Sequence, residues 1–382
     1  MAGHDPLTFV NSLSAKLATR SRHICALLGA GAARACGLPD IAGLTAGIKT
    51  SLPAEQTPAF TSLLENRNLE EALSRLRRIQ ALIDGTDQKV DDLTAADARK
   101  LDRAICAAIV AQLGLGSADL EPMLKFAAWI ARADYHLPVE IFTLNYDLLT
   151  ETALERLRTP YFDGFVGTFE GSFRTDLVEA TPSDEDAWLP PFIARLWKLH
   201  GSVSWQWSNN DVIRLGQPVR SSDAAAIFPS DMKYDESRRV PFIVLHDRLR
   251  RALLHPETLT IITGYSWNDE HLNEVIFDAA RRRPRSEVIA FSRSTLPEAL
   301  VEHAREIPNL QAVTGTEAVL GGVKADWKDG GTTPGDVWAD NKLALREFGP
   351  LAEFLARSSP PQRELEARLA EVLATAAGGA VA

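Results

Sequence analysis

Cysteine is scarce in this sequence: Cys25, Cys36 and Cys106 are the only three among 382 residues. An odd and scattered set builds no disulfide framework, and no C-x-x-C pair is present to hold zinc. Long apolar runs are missing too. The longest, near residues 24–33 and 104–113, fall well short of the ~18 residues that a membrane span needs. Positive charge is also short, with 41 basic against 51 acidic side chains and a formal net charge of -10. That balance argues against a protein whose main task is gripping phosphate backbones, so no direct nucleic-acid specificity is expected. The opening residues MAGHDPLTFV lack the basic and apolar regions of a secretory signal. The expectation is a cytoplasmic protein in a reducing compartment, long enough to bury a large core without a disulfide or metal staple.

What is present is a strand-and-helix rhythm. Residues 6–19 read as a helix, and residues 23–28 (HICALL) as a short buried strand running straight into Gly29-Ala30-Gly31. A strand, then glycines, then a helix is how a nucleotide-binding βαβ unit opens. Gly37, Pro39 and Gly43 predict a loop next. From about residue 53 to 134 strand signals vanish. Leu69, Leu73, Leu76, Ile79 and Ile83 recur at helical spacing, and residues 102–113 and 121–132 predict further helices. Strands resume at 139–143, 196–200, 259–263 and 288–291, with helices expected at 147–157, 241–254, 269–282 and 297–306. Apolar strands alternating with helices predict an α/β fold, a Rossmann-like doubly wound and mainly parallel sheet. Beyond about residue 314 the rhythm stops. Residues 321–335 read as loop, and 338–358 and 362–376 as two helices. The expected organisation is an α/β domain over residues 1–315, with a helical insertion at about 53–134, and a C-terminal helical extension over 316–382.

Four motifs fall at strand ends, where a doubly wound sheet keeps its ligands. In the first, Gly29-Ala30-Gly31 leads to Gly37-Leu38-Pro39-Asp40, and Arg34 stands where a third fingerprint glycine would be. Such glycines either let a pyrophosphate approach the backbone or simply make a tight turn. In the second, Thr143-Leu144-Asn145-Tyr146-Asp147, local pattern favours Asp147 as a helix cap over a ligand-facing group. The third, Lys198-Leu199-His200-Gly201-Ser202, offers a histidine able to trade a proton near neutral pH. Alternation along that strand puts Leu196, Lys198 and His200 on one side. The fourth is Gly264-Tyr265-Ser266-Trp267-Asn268-Asp269, a ligand-binding turn or a plain turn that Asp269 caps.

Taken in order, these motifs resemble the sirtuin family, and specifically its bacterial sirtuin-like NAD-cleaving branch. The resemblance covers residues 24–43 and 139–292. It implies NAD as a substrate, contacted by Gly29, Ala30, Gly31, Asp40, Gly264, Ser266 and Ser292. It further implies Asn145, Asp147 and His200 as catalytic residues: Asp147 holding the carboxamide, Asn145 positioning the ribose and a water, and His200 taking a proton. Protein-deacylating sirtuins have Phe-Arg after Pro-Asp, where this chain has Ile41-Ala42, and four zinc cysteines that it lacks. The resemblance therefore points to an NAD+ hydrolase acting without metal, as a toxic effector of bacterial anti-phage defence. A protein deacylase or ADP-ribosyltransferase and a non-enzymatic NAD-sensing module are the alternatives. Among the partners such a chain implies, a homo-oligomer with a HerA-type ATPase is expected ahead of a short Argonaute.

Overall fold

The structure is a computed structural model describing residues 3–180, 194–208, 211–219, 225–227, 240–328, 331, 333–357 and 363–378. The expected helix boundaries at Ser358 and Gln362, and tail residues 379–382, lie outside them. Along the chain, strands β1 (Ile24–Leu28), β2 (Val139–Thr143) and β3 (Tyr161–Phe162) precede a short pair, β4 (Phe165–Val166) and β5 (Glu170–Phe173). Then come β6 (Ala194–Lys198), β7 (Gly201–Ser208), β8 (Asp211–Leu215) and β9 (Ala225–Ile227). The last run is β10 (Leu259–Thr263), β11 (Glu287–Phe291), β12 (Leu310–Val313), β13 (Glu317–Leu320) and β14 (Val323–Asp326).

Nine of these form the central sheet, in the order β14-β13-β12-β11-β10-β1-β2-β6-β3. All its pairings are parallel except those of β13 and β14, which are antiparallel. Numbering the six long parallel strands by sequence gives 3-2-1-4-5-6 from β6 to β12, the dinucleotide-binding order. Its switch point lies between β1 and β10. The doubly wound fold class read from the sequence is therefore present.

Helices cover both faces, which is why the strands read as largely apolar runs without alternation, interrupted by Glu140 in β2 and Arg195 in β6. On one side Ile24, Ala26 and Leu28 of β1 meet α1 (Pro6–Leu17), α2 (Ala30–Ala35), α3 (Ile41–Ser51) and the helices of the insertion. Those are α4 (Thr57–Leu63), α5 (Leu69–Ile83), α6 (Ala95–Gln112) and α7 (Glu121–Ala131), followed after β2 by α8 (Leu149–Arg156). Asn68 and Glu71 start α5 with a reciprocal capping box, and its five leucines and isoleucines at helical spacing are all buried. On the other side Cys25 and Leu27 meet α9 (Thr175–Glu179), α10 (Phe242–Leu253), α11 (Glu270–Arg282) and α12 (Glu298–Glu306). A second sheet, β4-β5-β8-β7-β9, packs Phe165 against Trp205. Among the described residues no single helix is long and apolar enough to cross a membrane.

Three local expectations are corrected. Gly43 is not in a loop: Asp40 caps α3 by accepting from the Gly43 amide at 3.0 Å, and that cap outweighs the glycine's poor helix propensity. Residues 321–335 are not all loop. Gly321 and Gly322 take positive φ, 57° and 84°, and turn β13 back into β14. Residues 338–358 are not one helix. A hairpin, β15 (Trp338–Ala339) with β16 (Lys342–Leu343), turns on Asp340 and Asn341 at positive φ before α13 (Phe348–Arg357) begins. The last helix is α14 (Arg363–Gly378). Helix α13 packs on α7, with the Phe126 and Phe348 rings 5.7 Å apart. Arg132 at the end of α7 bonds both the Ala356 carbonyl and Glu366 of α14.

Candidate functional site

The carboxyl ends of β1, β2, β6 and β10 are tied together by backbone hydrogen bonds. Leu144 N–H donates to the Leu28 carbonyl at 3.0 Å, Leu199 N–H to Thr143 at 2.9 Å, and Gly29 N–H to Thr263 at 3.0 Å. The loops after these strands are thereby fixed against one another around the switch point.

Gly29 and Gly31 pack against Gly264 across that point. Gly31 N–H donates to the Gly264 carbonyl at 2.9 Å. A Cβ on Gly29 would stand 2.4 Å from the Gly264 oxygen, one on Gly31 2.5 Å from the Gly264 Cα, and one on Gly264 2.6 Å from the Ala32 nitrogen. Gly264 also has φ of +67°. The glycines are thus required for two loops to meet, whatever else binds there, and the amides of Gly29, Gly31 and Ala32 already have protein acceptors. Gly264→Ala combines a left-handed backbone with a clash that no side-chain rotation relieves. It is expected to cost about 2 kcal/mol or more, read as a lower midpoint in chemical denaturation.

Asn145 sits just past β2, half-buried, and donates from Nδ2 to the Gly29 carbonyl at 3.0 Å. The first and second motifs therefore touch across 116 residues of sequence. His200 is placed differently from the expectation. Strand β6 ends at Lys198, and the turn into Gly201, at φ +91°, carries His200 across to the α10 and α11 side. Lys198 stays on the other side, paired with Glu151 at 2.8 Å. His200 Nε2 faces Asp269 Oδ2 at 3.6 Å, and both groups are largely buried. The other oxygen of Asp269 caps α11 by accepting from Leu272 N–H at 3.1 Å. Burial alone would raise the Asp269 pKa, but the neighbouring His200 outweighs it and the carboxyl is held below its usual range. The ring of His246 on α10 stacks on His200 with centroids 6.2 Å apart. Burial, reinforced by His200, pushes His246 down to about 4, so it stays neutral near pH 7.

Asp147 does not take the cap position that local pattern favoured: Leu148 caps α8, and Asp147 stands one residue earlier with its side chain on the first amide of the helix. Its Oδ1 accepts from Leu149 N–H at 2.9 Å, and burial raises its pKa despite the charge of Lys198. Asp40 caps α3 and lies 3.5 Å from Arg34. Ala30 and Ser266 are exposed at the rim. Ser292 follows β11 and is buried, with its N–H bound to the Val313 carbonyl at 2.8 Å. The hydroxyls of Ser292 and Thr263 and the indole N–H of Trp267 are buried with no hydrogen-bond partner among the described residues. Such groups carry a desolvation cost of about 1–3 kcal/mol each until a partner arrives. Sequence reasoning gave Asp269 only a capping role and passed over His246, Thr263 and Trp267. Asp269 was visible as a helix cap, whereas nothing in the sequence marks His246.

The three cysteines are buried and free. Burial pushes the thiols of Cys36 and Cys106 up to about 12 and raises Cys25 as well. A thiol kept protonated is a poor metal ligand. Treatment with a chelator is therefore expected to leave the melting temperature and any activity unchanged.

Together the sheet order and its switch-point loops define a Rossmann-type α/β domain with a polar site at the carboxyl ends of its strands. Residues 139–310, from β2 to the first residue of β12, match the SIR2-like domain, a sirtuin-like family. The Gly29–Gly31 loop and Asp40 lie outside the matched stretch. A solved structure titled for the mechanism and regulation of Sir2 enzymes aligns at a TM-score of 0.42 and 11% identity, covering 91% of this chain and 96% of that one. No curated protein matches the chain.

Proposed function

We propose that the protein is an NAD+ glycohydrolase that cleaves NAD+ to ADP-ribose and nicotinamide. The observation that carries this reading is the pairing of His200, after β6, with Asp269, after β10, across the switch point, while Asn145 is anchored to Gly29 at the strand ends between them. A histidine backed by a carboxylate is a built proton acceptor, which a site that only binds does not need. With Nε2 turned toward Asp269, Nδ1 is the nitrogen that takes the proton.

The nicotinamide of NAD+ is cationic and leaves as a neutral molecule, so the leaving group needs no acid. The chain must hold the ribose and present a water. Asn145 positions both, and His200 takes the proton that the water loses as its oxygen bonds to the ribose carbon. The ribose hydroxyls and phosphates of NAD+ supply partners for the orphaned groups of Thr263, Trp267 and Ser292. Following the resemblance, Ala30, Asp40 and Ser266 contact the same molecule, and Asp147 holds the carboxamide. Incubation with NAD+, with and without an acyl-lysine peptide, tests the reading. Nicotinamide release unaffected by peptide is expected, and release that needs the peptide would make the protein a deacylase.

The cellular role that fits is a toxic effector of bacterial anti-phage defence, held inactive until it assembles as a homo-oligomer with a HerA-type ATPase; a short Argonaute is the second choice of partner. Helix α13 is buried in the fold, so a truncation that tests assembly should keep it and remove residues 363–382. That truncation is expected to reduce the assembled mass in light scattering, with some loss of melting temperature because Arg132 loses Glu366. A full-length chain that stays monomeric, alone and with the ATPase, would overturn the assembly.

A further inference from the structure

At the opposite, amino end of the same strands lies a cavity of about 120 Å³, whose walls carry His23, Glu140, Glu179, Arg195, Arg248 and Arg251. Its acids are already engaged. Glu140 is buried and accepts from His23 Nε2 at 3.2 Å, Trp197 Nε1 at 2.7 Å, Arg248 Nε at 2.7 Å and Arg248 Nη2. Glu179 lies 3.8 Å from Arg251, which also holds Asp247 at 2.5 Å. Arg195 is left over. It is only 6% exposed, gives one 3.3 Å bond to the Ala180 carbonyl, and its Nε has no partner among the described residues. A guanidinium has five N–H donors, and a buried cation with a donor left unpaired is costly. Burial lowers the Arg195 pKa, the Glu140 charge raises it, and Arg248 works against it again.

We propose that this cavity binds a phosphate-type oxyanion, held by Arg195 with further charge from Arg248 and Arg251. Guanidinium groups match the oxygens of such an ion in pairs. The volume fits. A cavity needs about 10–15 Å³ of this kind of volume to hold one water, so about 120 Å³ has room for a phosphate. The ligand is free phosphate, or the phosphoryl end of a larger molecule. Arg251 and Glu179, both about half exposed at 49%, form the rim it would pass. The site is separate from the one at the switch point: β6 carries Arg195 near one end, and His200 follows the other.

The test is a titration of the full-length protein with inorganic phosphate, against chloride at matched ionic strength, by calorimetry and thermal melting. Phosphate is expected to bind and to raise the melting temperature where chloride does not. Arg195→Met should weaken binding about tenfold or more and melt no lower than wild type in phosphate-free buffer. Arg251→Ala, at the exposed rim, should weaken it severalfold and decides the matter if Arg195→Met does not fold. Ribose 5-phosphate in a parallel arm separates the sources. Binding of both ligands indicates the phosphoryl end of a larger molecule, and binding of inorganic phosphate alone indicates the free ion. No phosphate-specific shift, or a shift that survives in both variants, would overturn the proposal.

Discussion

His200→Ala is expected to reduce NAD+ cleavage by about 10²–10⁴-fold while the protein stays folded, the usual range for loss of a positioned base. The imidazole sits at the end of a turn rather than within the sheet, so its removal leaves the strand ladder intact. Asn145→Ala should be comparably damaging, with one difference. Asn145 also holds the Gly29 carbonyl, so a small loss of stability is expected beside the loss of rate. Asp269→Asn should fall between wild type and His200→Ala, and rate set against melting temperature is the telling readout. The amide still accepts at the α11 cap but no longer backs the imidazolium, so the rate should fall without a matching drop in melting temperature. Near wild-type turnover in His200→Ala would remove the proton acceptor from the account.

The largest effect on stability is expected at Glu140. Its carboxylate is buried among His23, Trp197 and Arg248. Burial works to raise its pKa, and those partners outweigh burial and hold it well below the usual carboxylate range. A folded-state pKa below the unfolded value gives stability that is present above the unfolded pKa and lost as the pH falls toward the folded one. Wild type should therefore weaken steadily below about pH 4.5. Glu140→Gln leaves Arg248 buried without its counter-charge and should cost about 3–5 kcal/mol near neutral pH. It should also flatten that acid dependence. Denaturant titrations of both proteins between pH 3 and pH 7 measure the two quantities together.

Much of the fold was legible because parallel strands covered on both faces leave a plain signature. Residues 139–143 and 259–263 are legible to the residue, since each is a short, mostly apolar run ending in threonine beside a turn. The antiparallel parts were not. Strands β13 and β14 hide beside a Gly-Gly turn that reads equally well as loop, and β15 and β16 are too short to show alternation. The second sheet carries its core in Phe165 and Trp205, which lie far apart in sequence and show no local period. In the site, each strand-end motif was visible but its partner was not. The pairing of His200 with Asp269 depends on a positive-φ Gly201 that moves the imidazole to the other face, and strict alternation predicts the opposite. The glycines were legible as a close approach, but the neighbour they approach in the fold is another loop.

The most direct measurement is product analysis after incubating the full-length protein with NAD+, alone and with its candidate ATPase, beside His200→Ala. The account predicts nicotinamide and ADP-ribose in equal amounts from wild type in at least the assembled sample, with no dependence on an acylated peptide, and almost none from the variant. Intact NAD+ in every sample, or equal products from His200→Ala, would contradict it.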